Sequence, residues 1–203
     1  MGMGSKIALG CGGLLVLVVL IFGMTVMGSY NSLNTLNQAV DAQWGQVENV
    51  YQRRTDLVPN LVETVKGAAA FEKDTFTAVT EARAKVGQVS LGAKPGNDAA
   101  AMEKFQKAQE GLGSALSRLM VVVEKYPDLK ATQNFRDLQA QLEGTENRIT
   151  VERMRFNEAA RAFNTQRNSF PTVIIAAFFG DKFKDKVYFK AQAGAEVAPK
   201  VKF

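Results

Sequence analysis

The sequence predicts an all-α membrane protein: an N-terminal transmembrane helix, an antiparallel up-and-down four-helix bundle, and an apolar and basic C-terminal segment. Three observations predict it. From Ile7 to Tyr30 no residue is charged, and Leu14 to Phe22 is an unbroken run of large apolar side chains. Beyond that run, apolar residues recur at spacings of three and four, the period of one helix face. Helix breakers are scarce, with five prolines and 17 glycines in 203 residues, five of those glycines within the first 13. The expected parts are 1–29, a cytoplasmic tip and anchor; 30–169, the bundle; and 170–203, a membrane-proximal segment.

The anchor is justified by length, because a bilayer span needs about 20 apolar residues. A cleaved signal peptide would have a shorter apolar core of about 7–15 residues and a small-residue cleavage site, which Met24-Thr25-Val26-Met27 is not. Ala8-Leu9-Gly10-Cys11 resembles a lipoprotein box only superficially, since its apolar run lies after the cysteine. Lys6 stands where N-myristoylation after Met1-Gly2 would require Ser or Thr. Lys6 lies on the N-terminal flank, whereas the nearest basic residue after Met27 is Arg53. This asymmetry predicts a single-pass protein of the bacterial inner membrane, with the N-terminus cytoplasmic and the bundle extracytoplasmic or periplasmic. Gly4, Ala8 and Gly12 form a small-residue stripe that would let helices approach closely.

The first bundle helix is expected to continue directly from the anchor, with Tyr30, Leu33, Asn37, Val40, Trp44, Val47 and Tyr51 as its seam. Arg53 to Pro59 reads as a turn, with Asp56 as cap and Pro59 in the next first turn; the rival reading is a proline kink in one longer helix. A second helix carries Leu61, Val62, Val65, Ala69, Phe76, Val79, Ala82 and Val86 to near Gly87. Val89 to Asn97, containing Gly92, Pro95 and Gly96, is the clearest loop. Asp98 caps a third helix with Met102, Phe105, Leu112, Leu116, Leu119 and Val123 inward. After a turn at Tyr126-Pro127-Asp128, a last helix runs from about Leu129 to Ser169 on Phe135, Leu138, Leu142, Ile149, Phe156, Ala160 and Phe163. Short connections make neighbouring helices antiparallel. An even number of them returns the chain to the membrane end.

There the sequence places Phe170, Pro171 and the uncharged stretch through Phe178 and Phe179, too short to span. Lysines follow. From Arg148 onward eleven Lys/Arg face five Asp/Glu, so the overall charge of +5 belongs to the last quarter. The stretch either packs against the bundle or another subunit, which is the preferred reading, or rests on anionic lipid.

Tyr30-Asn31-x-Leu33, Val40-Asp41-x-x-Trp44-x-Gln46-Val47, Arg53-Arg54-x-Asp56-Leu57-Val58-Pro59-Asn60-Leu61-Val62-Glu63-Thr64-Val65-Lys66-Gly67, Phe170-Pro171-Thr172-Val173-Ile174-Ile175-Ala176 and Ala198-Pro199-Lys200-Val201-Lys202-Phe203 together resemble the LemA family of bacteria. The resemblance covers about Tyr30 to Phe203. It implies an N-terminal membrane helix and a compact helical bundle, and it implies no reaction. Family members often carry Tyr-Ala-x-His-Glu after the Lys-Gly; this chain has Ala68-Ala69-Ala70-Phe71-Glu72, so no role of that tyrosine or histidine carries over.

The residues argue against an enzyme. There is no histidine and a single cysteine, which removes His-based acid–base catalysis, Cys/His metal clusters and an intrachain disulfide. Glu63, Glu72, Asp74, Glu81, Glu143 and Glu146 read as exposed helix faces, because a di-metal bundle would want Glu-x-x-His pairs. No metal or cofactor is expected. Arg53 and Arg54 with Asp56 would suit a phosphate or head group, against the plainer reading of charge complementarity at a helix end. Asn60 and Glu63 read as first-turn residues of the second helix, and Trp44 as core. No nucleic-acid module is present.

Two roles follow as expectations. One is a structural scaffold that assembles as a homo-oligomer beside the lipid bilayer, sealed by Phe170–Phe179. The other is an adaptor or sensor that docks a soluble protein partner or ligand through a membrane-distal tip made of Arg53 to Asn60 and Tyr126 to Leu129.

Overall fold

The computed structural model describes the backbone of residues 3–67, 73–90 and 95–190, and the side chains among these from Gly12 onward, Ser90 and Pro95 excepted. The side chains of Gly4, Ala8 and Cys11 are not described, and Ala68 to Glu72, Gly92 and the Ala198–Phe203 motif lie outside the described residues.

Every regular element described is helical. The long ones are α1 (Met3–Lys66), α2 (Lys73–Ser90), α3 (Ala99–Val123) and α5 (Gln133–Asn168). Short helices α4 (Pro127–Lys130) and α6 (Thr172–Phe178) and two 3₁₀ turns, Pro95–Asn97 and Gly180–Phe183, connect or follow them.

Helix α1 joins the anchor to the bundle in 64 unbroken residues, about 96 Å. From Leu14 to Phe22 its side chains are 53–70% exposed and touch no other element. That is the state of a helix whose partner is hydrocarbon rather than protein. From Leu33 onward one face is buried: Leu33, Val40, Trp44, Val47 and Tyr51, then Arg54, Val58, Leu61 and Val65. After the two turns from Leu33 to Val40, the spacing is three or four at every step.

That continuity overturns the expected turn at Arg53–Pro59. Pro59 lies inside the helix, where it has no N–H to give the carbonyl of Thr55. The side chain of Arg83 on α2 donates its Nε–H to this carbonyl at 3.3 Å. A buried acceptor is thereby satisfied and the helix runs on. The first turn of the bundle moves to the end of α1, where Gly67 follows Lys66.

Other boundaries have local causes. Asp98 caps α3, its carboxylate accepting from the amides of Ala100 and Ala101 at 2.8 and 3.2 Å. Pro127 starts α4. The expected last helix is split, because Thr132 takes an extended conformation and caps α5 through the amide of Phe135.

Helices α1 and α5 pair antiparallel, joined by Gln43 to Glu152 at 2.6 Å and Arg54 to Glu146 at 2.8 Å. The shorter α2–α3 hairpin covers the part far from the anchor and reaches the proximal core with Met102 and Phe105 at the start of α3. Two apolar cores result. The distal core gathers Leu57, Val58, Leu61, Val79, Leu112, Leu119 and Phe135. The anchor-proximal core gathers Leu33, Trp44, Phe105, Phe156, Phe163, Phe183 and Phe189. Trp44 is buried as expected, its ring centroid 5.2 Å from Phe105 and 5.6 Å from Phe156.

Parity returns the chain to the anchor end. Thr172 lies 3.5 Å from Ser29, and Phe179 and Phe183 pack on Tyr30 at 5.0 and 5.6 Å. Residues 180–190 then fold back on the bundle. Residues 184–190 therefore leave the anchor end. Val187 donates to the carbonyl of Gly96 at 3.0 Å, so this strap fills the half that α2 and α3 leave uncovered.

The repair at Pro59 is testable by a double-mutant cycle. Arg83→Ala should cost about 1 kcal/mol of stability, read by thermal unfolding in detergent. In a Pro59→Ala background, where the helix amide is restored, the same change should cost clearly less. Equal costs in the two backgrounds would remove this explanation.

Candidate functional site

Two regions hold the residues singled out from the sequence, and they differ in kind. The first is a polar layer between the two cores. Arg54 sits at a seam position of α1 and is 4% exposed. Its Nη1 donates to Glu146 on α5 at 2.8 Å. Its Nη2 donates to the backbone carbonyl of Gln109 on α3 at 3.0 Å and also to the Gln109 side-chain oxygen. One guanidinium fork thus ties three helices together. The guanidinium also lies 5.2 Å from the ring centroid of Tyr51. Thr55 and Thr145 are buried alongside and satisfy their hydroxyls on the carbonyls of Tyr51 and Gln141.

Burial pushes the Tyr51 phenol above its ordinary pKa, and the Glu146 carboxylate adds to the rise. Arg153, which hydrogen-bonds the phenol, and Arg54 pull the other way. Beside this layer an open groove of about 1030 Å³ runs between α3 and α5, with Tyr51 and Arg54 on its floor. Its walls carry Glu110, Glu143, Glu146 and Arg153.

Arg53, Asp56 and Asn60 do not join this layer. They are exposed on the opposite side of α1, with Asp56 accepting from Gln52 at 2.7 Å. Because α1 continues to Lys66, the stretch Arg53 to Asn60 is not the tip of the bundle and Asn60 is not in a first helical turn. That placement is corrected: the described distal end is built by Lys66, Lys73 and Tyr126 to Thr132. Arg54, expected beside Arg53 on a turn, points inward.

The second region gathers at the anchor end. Phe170, Pro171, Phe178 and Phe179 come together around α6, whose buried side is Thr172, Ile175 and Ala176. Its other side is bare: Phe170 is 82% exposed, Ile174 62% and Phe178 86%. Ile174 and Phe178, spaced by four on α6, and Phe170 just ahead of the helix are left bare at the end where Thr172 meets Ser29. Lys182 lies over the Tyr30 ring at 4.6 Å and donates to its hydroxyl. Pro171 is half-buried and precedes α6.

The sequence reading missed Gln109 and Arg83. The signal for Arg54 was present, because the seam spacing from Tyr51 continues through Arg54 to Val58. Nothing local marks Gln109 or Arg83, whose roles depend on which helix lies opposite.

The LemA family matches residues 43–203. The chain belongs to the LemA family. This LemA-family chain is 28% identical over 200 residues to magnetosome protein MamQ 1 of Paramagnetospirillum magneticum, across 89% of this chain and 72% of that protein. It is 28% identical over 190 residues to magnetosome protein MamQ of Magnetospirillum gryphiswaldense, across 86% of this chain and 69% of that protein. It is 21% identical over 161 residues to Protein LemA of Metamycoplasma hominis, across 79% of this chain and 69% of that protein. With its apolar N-terminal helix, it is a membrane-associated helical protein.

Two outcomes check the polar layer. Arg54→Ala should lower stability by about 2 kcal/mol, because it strands the Gln109 acceptors, and Arg54→Lys should recover only part of this, since an ammonium lacks the fork. The folded state holds the Tyr51 proton more tightly than the unfolded state. Its contribution to stability is therefore full below about pH 10 and lost as pH rises further. Tyr51→Phe should flatten the fall of stability with pH in that alkaline range, read by thermal unfolding from pH 8 upward.

Proposed function

We propose that this LemA-family protein is a non-catalytic scaffold, held by one helix in the inner membrane and assembled as a homo-oligomer at the membrane surface. The observation that supports this is the bare stripe of Phe170, Ile174 and Phe178 beside the anchor. Contiguous apolar side chains left uncovered on a soluble face mark an interaction surface. The rigid run of α1 from anchor into bundle fixes the height of that stripe above the lipid, so copies in one membrane present it at the same level. Lys6 before the apolar run, with no basic residue from Met27 to Gln52, supports a cytoplasmic N-terminus and a bundle on the far side. The chemistry available is that of binding.

Light scattering on the detergent-solubilised full chain should give a clear multiple of 22.1 kDa. Phe170→Asp with Phe178→Asp should reduce it to one subunit while helicity is retained, since both side chains are exposed. A native chain that runs as a monomer would refute the scaffold.

A further inference from the structure

The single rod of α1 fixes where the lipid boundary falls on the bundle. From Ile7 to Met27 the uncharged helix rises about 30 Å, the thickness of the hydrocarbon layer. Ser29 and Tyr30 follow within one turn and so stand at the depth of the headgroups. Side chains on a helix lean toward its N-terminus, which here is the lipid side. Aromatic rings gather at this point. Phe179 and Phe183 pack on Tyr30, Phe178 packs on Phe179 at 5.4 Å, and Phe179 lies 6.0 Å from Phe183. Such rings suit the boundary between hydrocarbon and water.

The charges beside these rings are paired, with one exception. Lys184 meets Asp181 at 2.8 Å, and Arg167 on α5 meets Asp185 at 3.2 Å. Among the described residues no carboxylate pairs with Lys182, which is exposed. Its ammonium lies over the Tyr30 ring at 4.6 Å and the Phe183 ring at 5.6 Å, and it donates to the Tyr30 hydroxyl. An ammonium has three N–H donors, so two remain, and a hydroxyl that accepts still has its own proton to give. The pair thus offers several donors and one uncompensated positive charge at a single point. The ring faces hold the lysine in place, which leaves it less side-chain freedom to lose on binding.

We propose that Tyr30 and Lys182 form a site for the phosphate of an anionic phospholipid in the leaflet on the bundle side. The phosphate oxygens accept from the Lys182 ammonium and the Tyr30 hydroxyl. The acyl chains enter the hydrocarbon beside α1, where Phe22, Met24 and Met27 are 68–75% exposed. A zwitterionic lipid is the weaker ligand, because its own cation competes with Lys182 for the phosphate. Free phosphate shares the oxygens but lacks the chains. The site depends on the membrane anchor and not on the number of subunits.

The test uses the full chain in nanodiscs of phosphatidylglycerol and phosphatidylcholine in equal amounts, with the lipids retained per subunit counted by native mass spectrometry. The native chain should retain phosphatidylglycerol in preference. Lys182→Gln should lower that preference about fivefold, the factor one lysine contributes at an anionic surface. Lys182→Arg should keep it, and Tyr30→Phe should lower it less than Lys182→Gln, since the ring remains. Lys73→Gln makes the same change of charge at the distal end and should leave the preference unchanged. A Lys182→Gln chain that matches the native one, or a Lys73→Gln chain that falls as far, overturns the site. Inorganic phosphate in millimolar excess should not displace the lipid; displacement would assign the site to a free anion and overturn the lipid reading.

Discussion

The molecule depends on α1 remaining one helix. A single rod carries the apolar run on one part of its length and the floor of both cores on the rest. Its buried positions stay in phase from Leu33 to Val65, so every element that packs on it is set in one angular frame. The weak point is Pro59, which withholds one backbone donor in the middle of the packed face. Arg83 supplies a replacement from another helix. A kink there would swing the distal core off the line of the anchor, and α5, paired with α1 along its length, would lose its partner.

The second constraint is a charge in a place where apolar side chains would pack more readily. Arg54 takes a seam position, and burying a guanidinium is costly unless its donors are met. The two terminal nitrogens are met by Gln109 and Glu146, on two different helices, while Nε stays buried without a partner. A slip of α3 or α5 along α1 by one turn would separate these partners and leave the charge buried among leucines and valines. The layer between the cores thus selects the register of the bundle, whereas the cores on either side supply most of the burial. The nearby phenol of Tyr51 responds to the same surroundings, its proton held by burial more firmly than two arginines can loosen it.

Function is read from the surfaces this frame leaves open. At the anchor end α6 turns three apolar side chains outward at the level where α1 emerges from its apolar run. Along α5 a ladder of asparagines holds an extended strap. The first surface faces outward from the bundle; the groove beside the strap lies open between α3 and α5. Neither arrangement gathers a nucleophile with a base.

Much of this was legible in the residues. Uncharged length marked the anchor, the three-and-four spacing marked the helices, and Asp98 and Pro127 marked where two of them begin. Helix parity foretold the meeting of Thr172 with Ser29. Local chemistry and periodicity determine such features, because each is decided by neighbours within a turn or two. Pro59 shows where that reasoning ends. A proline after charged residues reads by local rules more readily as a turn than as a kink within one helix, and the donor that meets the freed carbonyl of Thr55 comes from Arg83, 28 residues beyond that threonine. The pairing of Arg54 with Glu146 and the strap held by Asn157 and Asn164 are of the same kind. Each turns on a hydrogen bond between elements far apart along the chain, and no window of sequence contains both partners.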